Sequence, residues 1–252
     1  MWHDVVDLRE FYETRRGQVA RHMVRRAVRS LWPDVSGQSV LGLGFATPYL
    51  RQFKGEAERT LAFMPSSQGV MHWPPEGPGL VSLVEETELP LPDYSVDRVL
   101  LVHGLENSES LRGLLREIWR VLTGDGRLLV VVPNRRGIWA RSDRTPLGWG
   151  HPYSGAQLSR VLRDNLFIPA RTERALYVPP IANFTFLRSA PAWERMGARF
   201  FPTFAGVVMI ESGKQLYAGT MTPAKQRKFR RPVVVSFPQA AGRLHRDLSD
   251  ES

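Results

Sequence analysis

The sequence predicts an α/β fold in which a mostly parallel β-sheet carries helices on both faces. Residues 39–44 form a short apolar run that ends in glycines, as buried parallel strands often do. Thr47 and Pro48 follow directly and are good residues for the first positions of a helix. Residues 96–133 then read as strand, helix and strand. Such βαβ units build parallel sheets with right-handed crossovers.

The remaining elements follow from hydrophobic periodicity along the chain. Apolar residues recur every three or four positions over 5–32, which predicts one long amphipathic helix that stops at Trp32-Pro33. Further strands are predicted at 60–64, 80–84 and 172–178, and a further helix at 154–165. Residues 206–218 have the spacing of a hairpin or of one long bulged strand.

Composition narrows the class of protein. The chain has 252 residues, 42% of them hydrophobic and 23% charged, which is typical of one globular domain with extensions. It has no cysteine, which excludes disulfides, thiolate nucleophiles and cysteine-based metal centres. The histidines lack metal-ligand spacing, and no apolar run reaches the roughly 20 residues of a membrane span. We therefore expect a cytoplasmic protein without a metal.

The net charge of +9 is concentrated near the C-terminus, where residues 225–231 contribute five cations and no anion. A solvated tail is the simpler interpretation, and a contact with nucleic acid or anionic lipid is the alternative. No zinc finger, KH clamp or RNP strand pair is recognisable.

Three blocks in the centre of the chain resemble one family. Residues 89–99 read Leu-Pro-Leu-Pro-Asp-Tyr-Ser-Val-Asp-Arg-Val, followed by Leu-Glu-Asn at 105–107 and Glu-Ile-Trp-Arg-Val-Leu-Thr-Gly-Asp-Gly-Arg-Leu at 117–128. In order and spacing they are similar to the class I S-adenosylmethionine (SAM)-dependent methyltransferases, in the type 11 methyltransferase-domain branch. The resemblance runs from about residue 38 to 168 and more weakly to 218.

The resemblance implies a Rossmann-like sheet of seven strands, mostly parallel, with an antiparallel last strand. It divides the chain into an N-terminal helical extension (1–35), a methyltransferase-like domain (36–220) and a basic, flexible tail (221–252). SAM is the implied cofactor. By position, the implied cofactor-binding residues are Gly42, Gly44, Phe45, Ala46, Thr47, Met64, Glu85, Glu86 and His103.

The first cofactor motif departs from the family pattern. Gly44 and Thr47 keep the family residues, whereas Gly42 replaces an acid, Ala46 and Pro48 replace glycines, and Phe45 adds bulk. The acid that would accept hydrogen bonds from the ribose is replaced by Met64, while Glu85 or Glu86 matches the acid facing the adenine. Loss of a charged acceptor costs roughly 1.5–3 kcal/mol, about ten- to a hundredfold in affinity. Weak or lost SAM binding follows.

Four residues are candidates for contact with a substrate: Tyr12, Asn134, His151 and Tyr153. Each also has a structural interpretation, as core packing, surface solvation or a helix-entry turn. No catalytic base can be assigned from the sequence.

Three functions remain open. The first is a SAM-dependent methyltransferase acting on a small-molecule or lipid-like acceptor. The second is a catalytically degenerate protein that binds or regulates a protein partner, and the third is a nucleic-acid methyltransferase docking through 225–231. The first requires a hollow of adenosyl size at Phe45, and a hollow filled by the protein's own side chains favours the second.

Overall fold

The computed structural model describes residues 4–143, 145–180 and 189–216, which form a seven-stranded sheet flanked by helices. The strands are β1 (Ser39–Gly44), β2 (Arg59–Pro65), β3 (Val81–Val84), β4 (Val96–Val102), β5 (Leu122–Pro133), β6 (Phe167–Ala175) and β7 (Val207–Lys214). The helices are α1 (Val5–Glu13), α2 (Arg15–Leu31), α3 (Thr47–Leu50), α4 (Leu111–Val121), α5 (Gly155–Asp164) and α6 (Ala190–Phe200).

The strand order is β3-β2-β1-β4-β5-β7-β6, so the chain reverses its direction of travel across the sheet between β1 and β4. β1 pairs in parallel with β2 on one side and β4 on the other, while β7 runs antiparallel to β5 and β6. The predicted mostly parallel sheet with an antiparallel last strand is confirmed. The crevice at the β1–β4 reversal is where sheets of this kind bind ligands.

Alternating side chains bury both faces of the sheet. On β4, Val99 and Leu101 pack into the hydrophobic cluster under α4 and α5, whereas Leu100 and Val102 pack into the cluster under α1, α2 and α3. This two-residue alternation explains the unbroken apolar runs in the sequence, since a strand covered on both faces needs apolar residues at every position.

The N-terminal region differs from its prediction, because two helices replace the single helix over 5–32. Thr14 separates them in an extended conformation. Its Oγ1 donates to the carbonyl of Phe11 and accepts from the backbone N–H of Gly17, so it closes the first helix and caps the second.

One strand prediction also needs correction. β6 begins at Phe167 and ends at Ala175, earlier than the predicted 172–178, because it pairs along β7 through Val207–Lys214. Of the two alternatives for 206–218, the structure has one strand over 207–214 and not a hairpin, and residues 217–218 lie outside the described residues.

The basic run at 225–231 and the predicted tail at 221–252 also lie outside the described residues. Among the helices that the structure describes, none combines the length and the apolar character needed to cross a membrane.

Candidate functional site

The turn after β1 lies against the end of β4 and opens the candidate site. Gly44 has a φ of +74°, and a Cβ atom there would lie 2.3 Å from the carbonyl oxygen of Val102. The next residue, Phe45, donates its backbone N–H to the same oxygen at 2.8 Å. Only glycine fits this close approach at positive φ, which explains the glycine at position 44.

At position 42, in contrast, side-chain packing leaves room only for glycine. A Cβ atom on Gly42 would lie 2.3 Å from Cδ1 of Leu50 and 2.9 Å from Cβ of Ala46. The side chains of α3 therefore occupy the space that the acid of the family motif would need.

A chain of buried polar groups lies beside this turn. The Tyr49 hydroxyl donates to the Tyr12 hydroxyl at 2.8 Å, and the Tyr12 hydroxyl lies 2.8 Å from Nε2 of His103. Nδ1 of His103 lies 3.1 Å from Oε1 of Glu106. In the tautomer with the proton on Nδ1, Nδ1 donates to Glu106 and Nε2 accepts from the Tyr12 hydroxyl. We call Tyr12, Tyr49, His103 and Glu106 the polar cluster.

Two features of the polar cluster oppose stability. His103 has a φ of +52°, which costs a non-glycine residue on the order of 1–3 kcal/mol. Oε2 of Glu106 is buried and has no hydrogen-bond partner among the described residues. Strained backbone and incompletely paired buried carboxyl groups concentrate at functional sites.

Burial keeps both tyrosines protonated. Desolvation raises the pKa of Tyr12 well above its usual value, and the nearby Tyr49 adds to that rise. Desolvation likewise raises the pKa of Tyr49, although the charge of Arg21 acts in the opposite direction. Both side chains are therefore neutral phenols at physiological pH.

The crevice at the β1–β4 reversal is filled by the protein's own side chains. The ring of Tyr12 stacks on Phe45, with ring centroids 5.8 Å apart and planes inclined by 15°. The buried Gln68 donates its side-chain N–H to the carbonyl of His103. The cavity that remains beside the polar cluster has a volume of about 10 Å³, close to that of one water-sized sphere. An adenosyl group does not fit between these side chains as they stand.

A larger pocket of about 460 Å³ lies on the other side of Tyr12 and Phe45. Besides these two residues, it is lined by Arg9, Glu13, Arg21, Arg25, Thr47, Pro48, Arg51, Met71, His72, Trp73 and Pro75. We call it the arginine pocket. Tyr12 also lines the small cavity, so its ring separates the two spaces.

The other predicted cofactor residues are not gathered around an open hollow. Met64 is buried in the core beneath α1 and α3. Glu85 is exposed, and Oε1 of Glu86 accepts the backbone N–H of Ser110 at 2.6 Å at the start of α4. Ala46 and Thr47 are buried at the turn into α3. Of the predicted set, Phe45 and His103 meet most closely around Tyr12.

The four predicted substrate residues do not lie together in the structure either. Asn134 is buried and donates to the carbonyls of Thr203 and Ala205, which fixes the loop before β7. His151 is exposed, and its backbone N–H donates to the carbonyl of Glu106. Tyr153 is half-buried, and burial raises its pKa, with a smaller contribution from Glu106. Tyr12 is the one predicted substrate residue inside the crevice.

Sequence reasoning missed Tyr49, Gln68 and Glu106 as site residues. Glu106 belongs to the block at 105–107 and follows His103 by three positions, a spacing that carries a signal. Gln68 lies in an irregular segment, and Tyr49 reads as an ordinary core residue of α3, so neither has a sequence signature.

Residues 41–130 match the model of a family described as a methyltransferase domain. Over these residues the chain is similar to that family, and the sheet that contains them has the corresponding Rossmann-like methyltransferase fold. The matched part runs from β1 into β5, and therefore includes the turn at Gly44 and the histidine–glutamate pair of the polar cluster.

Solved structures agree with this methyltransferase fold. A SAM-dependent methyltransferase from Thermotoga maritima is 16% identical, with a TM-score of 0.57 and coverage of 84% of this chain and 96% of that one. A SAM-dependent methyltransferase from Archaeoglobus fulgidus is 18% identical, with a TM-score of 0.54 and coverage of 77% and 94%. A complex of the Haloferax volcanii Trm112 methyltransferase activator and a methyltransferase is 17% identical, with a TM-score of 0.54 and coverage of 83% and 98%. Among curated proteins, none matches significantly.

SAM is the cofactor that this family implies, whereas no group of three metal-binding side chains is found among the described residues. The closed crevice leaves the methyltransferase domain without room for SAM in this conformation.

Proposed function

We propose that the protein is a SAM-dependent methyltransferase, acting on a small-molecule or lipid-like acceptor, whose cofactor crevice opens when the ring of Tyr12 moves. The observation that carries this proposal is the polar cluster, which places a strained histidine and a partly unpaired carboxyl group at the β1–β4 reversal. An inert scaffold gains nothing from these two destabilising features. A cationic ligand such as SAM would complement the unpaired oxygen of Glu106.

Rotation of a single side chain would suffice to enlarge the crevice. Tyr12 stands between a cavity of about 10 Å³ and a pocket of about 460 Å³. If its ring swings toward the pocket, the two spaces join. Ligand sites typically measure about 300–1,000 Å³, so the joined space is large enough for a nucleoside-sized molecule.

The same movement would change the chemistry of His103. As the structure stands, its Nε2 is in hydrogen-bond contact with the Tyr12 hydroxyl and its Nδ1 with Glu106. When the ring of Tyr12 moves away, Nε2 is free to take a proton from the methyl acceptor. Glu106 then stabilises the imidazolium that forms. His103 is therefore the candidate base, and SAM would supply the methyl group.

Calorimetric titration with SAM and with S-adenosylhomocysteine tests the proposal. We expect measurable but weak binding at about 1 mM ligand or below, because the ribose acid is replaced by Met64. Folded protein that gives no heat with either ligand contradicts the proposal. Glu106→Gln is the matched variant, because it keeps the shape of the side chain and removes its charge. It should weaken binding of SAM, whose sulfur is positively charged, more than binding of S-adenosylhomocysteine, whose sulfur is neutral.

A second candidate function is that of a binding or regulatory subunit, which the filled crevice favours. Gln68 and Phe45 occupy the crevice together with Tyr12, and Leu50 occupies the position of the lost acid. The Haloferax volcanii structure shows that a related fold is found in a protein complex. This candidate predicts a stable fold without SAM, no SAM binding by wild type or by Tyr12→Ala, and co-purification with one defined partner.

A third candidate, a nucleic-acid methyltransferase, depends on residues 225–231, which lie outside the described residues. Deletion of residues 220–252 tests it directly. A gel shift that is unchanged by the deletion removes this candidate.

A further inference from the structure

The arginine pocket has a strongly positive lining. Four arginines, Arg9, Arg21, Arg25 and Arg51, line it, against a single carboxylate, Glu13. Clefts lined by charges of one sign focus the electric field and raise the local concentration of oppositely charged ligands. The pocket therefore favours anions.

Two of these cations have no ion-pair partner in the part of the chain that the structure describes. Arg21 and Arg25 form no ion pair with any described residue, and they are four positions apart on α2, so they share one face of the helix. Like charges at this spacing destabilise a helix. A bound anion would relieve that repulsion.

The remaining two arginines are only loosely paired. Nε of Arg9 lies 3.8 Å from Glu13, and Nη2 of Arg51 lies 3.5 Å from Glu76. All four of these side chains are at least half exposed, and exposed pairs of this kind hold their partners weakly. Arg9 and Arg51 can therefore turn toward a ligand at little cost.

The positive charge of Arg21 is felt by the tyrosines at the inner side of the pocket. Its charge lowers the pKa of Tyr12 and of Tyr49, although burial outweighs this effect in both. The positive potential therefore extends inward past the rim.

The rest of the pocket wall is apolar and partly aromatic. Phe45, Met71 and Trp73 contribute to it, and aromatic walls favour flat ligand groups. Guanidinium groups match the oxygens of a phosphate through paired hydrogen bonds. The sulfonium of SAM carries a positive charge, so it would lie toward Glu106 rather than among these arginines.

We propose that the arginine pocket binds a small molecule that combines a phosphate group with a flat apolar group, with Arg21 and Arg25 as the phosphate ligands. Binding needs no movement of Tyr12 and no SAM, so it is independent of the proposed methyl transfer. If methyl transfer does occur, the position of the pocket beyond Tyr12 makes such a molecule the acceptor.

Calorimetry with three probes tests the pocket: 1-naphthyl phosphate, inorganic phosphate and 1-naphthol. We expect 1-naphthyl phosphate to bind at least tenfold more tightly than either of the others, and its affinity to fall as salt rises. Arg21→Gln and Arg25→Gln should each weaken it roughly tenfold. Arg26→Gln is the matched control, since Arg26 lies on the same helix, is exposed and does not line the pocket.

Each contrary result overturns the inference. If folded wild type does not bind 1-naphthyl phosphate, the proposed binding site is refuted. If Arg26→Gln loses as much affinity as Arg21→Gln and Arg25→Gln, the attraction comes from the overall positive charge and not from the pocket. Equal binding of 1-naphthol shows that the arginines do not contribute. Because none of the probes contains an adenosyl group, failure here leaves the SAM titration, and with it the proposed function, unaffected.

Discussion

Replacement of Tyr12 by alanine is expected to increase the affinity for S-adenosylhomocysteine while it lowers stability. In the closed state Tyr12 makes two hydrogen bonds and one ring stack, with Tyr49, His103 and Phe45. Each is worth about 0.5–1.5 kcal/mol net, so moving the ring costs about 1.5–4.5 kcal/mol. A ligand that must displace the ring loses that amount of binding free energy. Removal of the ring should therefore tighten binding of S-adenosylhomocysteine roughly ten- to a thousandfold.

The stability cost of this variant has a separate origin. Truncation of a large buried aromatic side chain to alanine destabilises a protein by about 3–5 kcal/mol, because apolar contacts are lost and a cavity is left. Leu8→Ala is the matched control. Leu8 is fully buried on the same helix but lines neither the small cavity nor the arginine pocket.

Calorimetric titration of wild type, Tyr12→Ala and Leu8→Ala, each checked for folding by circular dichroism, gives the comparison. Tyr12→Ala should bind most tightly, and Leu8→Ala should resemble wild type. Equal tightening in both variants would show that general loosening of α1, and not the ring of Tyr12, controls the crevice. A folded Tyr12→Ala protein that gives no heat refutes the reasoning.

Two further predictions concern stability. Gly42→Asp restores the acid of the family motif but should destabilise the fold by more than about 2 kcal/mol, because its Cβ would meet Leu50 and its carboxyl group would be buried. Gly124→Asp is the control, because the nearest atom to a Cβ there is 3.4 Å away. Denaturant titration of both variants should show a much smaller loss of stability for Gly124→Asp. Hydrogen bonds from Arg120 hold the pKa of Glu117 below its usual 4.5, despite some burial. The stabilisation, up to about 1 kcal/mol, is therefore complete above pH 4.5 and disappears as the pH falls through the lowered value. Glu117→Gln should be less stable than wild type at pH 7, and a difference that does not shrink as the pH falls progressively below 4.5 would contradict this.

The sheet could be predicted from the sequence because its strands are covered on both faces. The positions of β4 from Val99 to Val102 are therefore all apolar, and such a run is recognisable without knowledge of its neighbours. The break at Thr14 was missed, since the apolar period continues through it and only the cap hydrogen bonds mark the boundary.

The candidate site could be predicted only in part. Gly44 and His103 lie at strand ends, which topology brings to one edge of the sheet. Tyr12 and Gln68 reach that edge from segments whose paths depend on tertiary packing. The contact between Gly42 and Leu50, which excludes the family acid, is likewise a matter of three-dimensional fit.

The most direct test of the opening crevice is a crystal structure of the protein grown with S-adenosylhomocysteine. The proposed function predicts the adenosyl group between Phe45 and His103, with the hydroxyl of Tyr12 more than 3.5 Å, the outer limit of a hydrogen bond, from Nε2 of His103. A structure in which Tyr12 keeps its 2.8 Å contact with His103 and the crevice holds no ligand would contradict it.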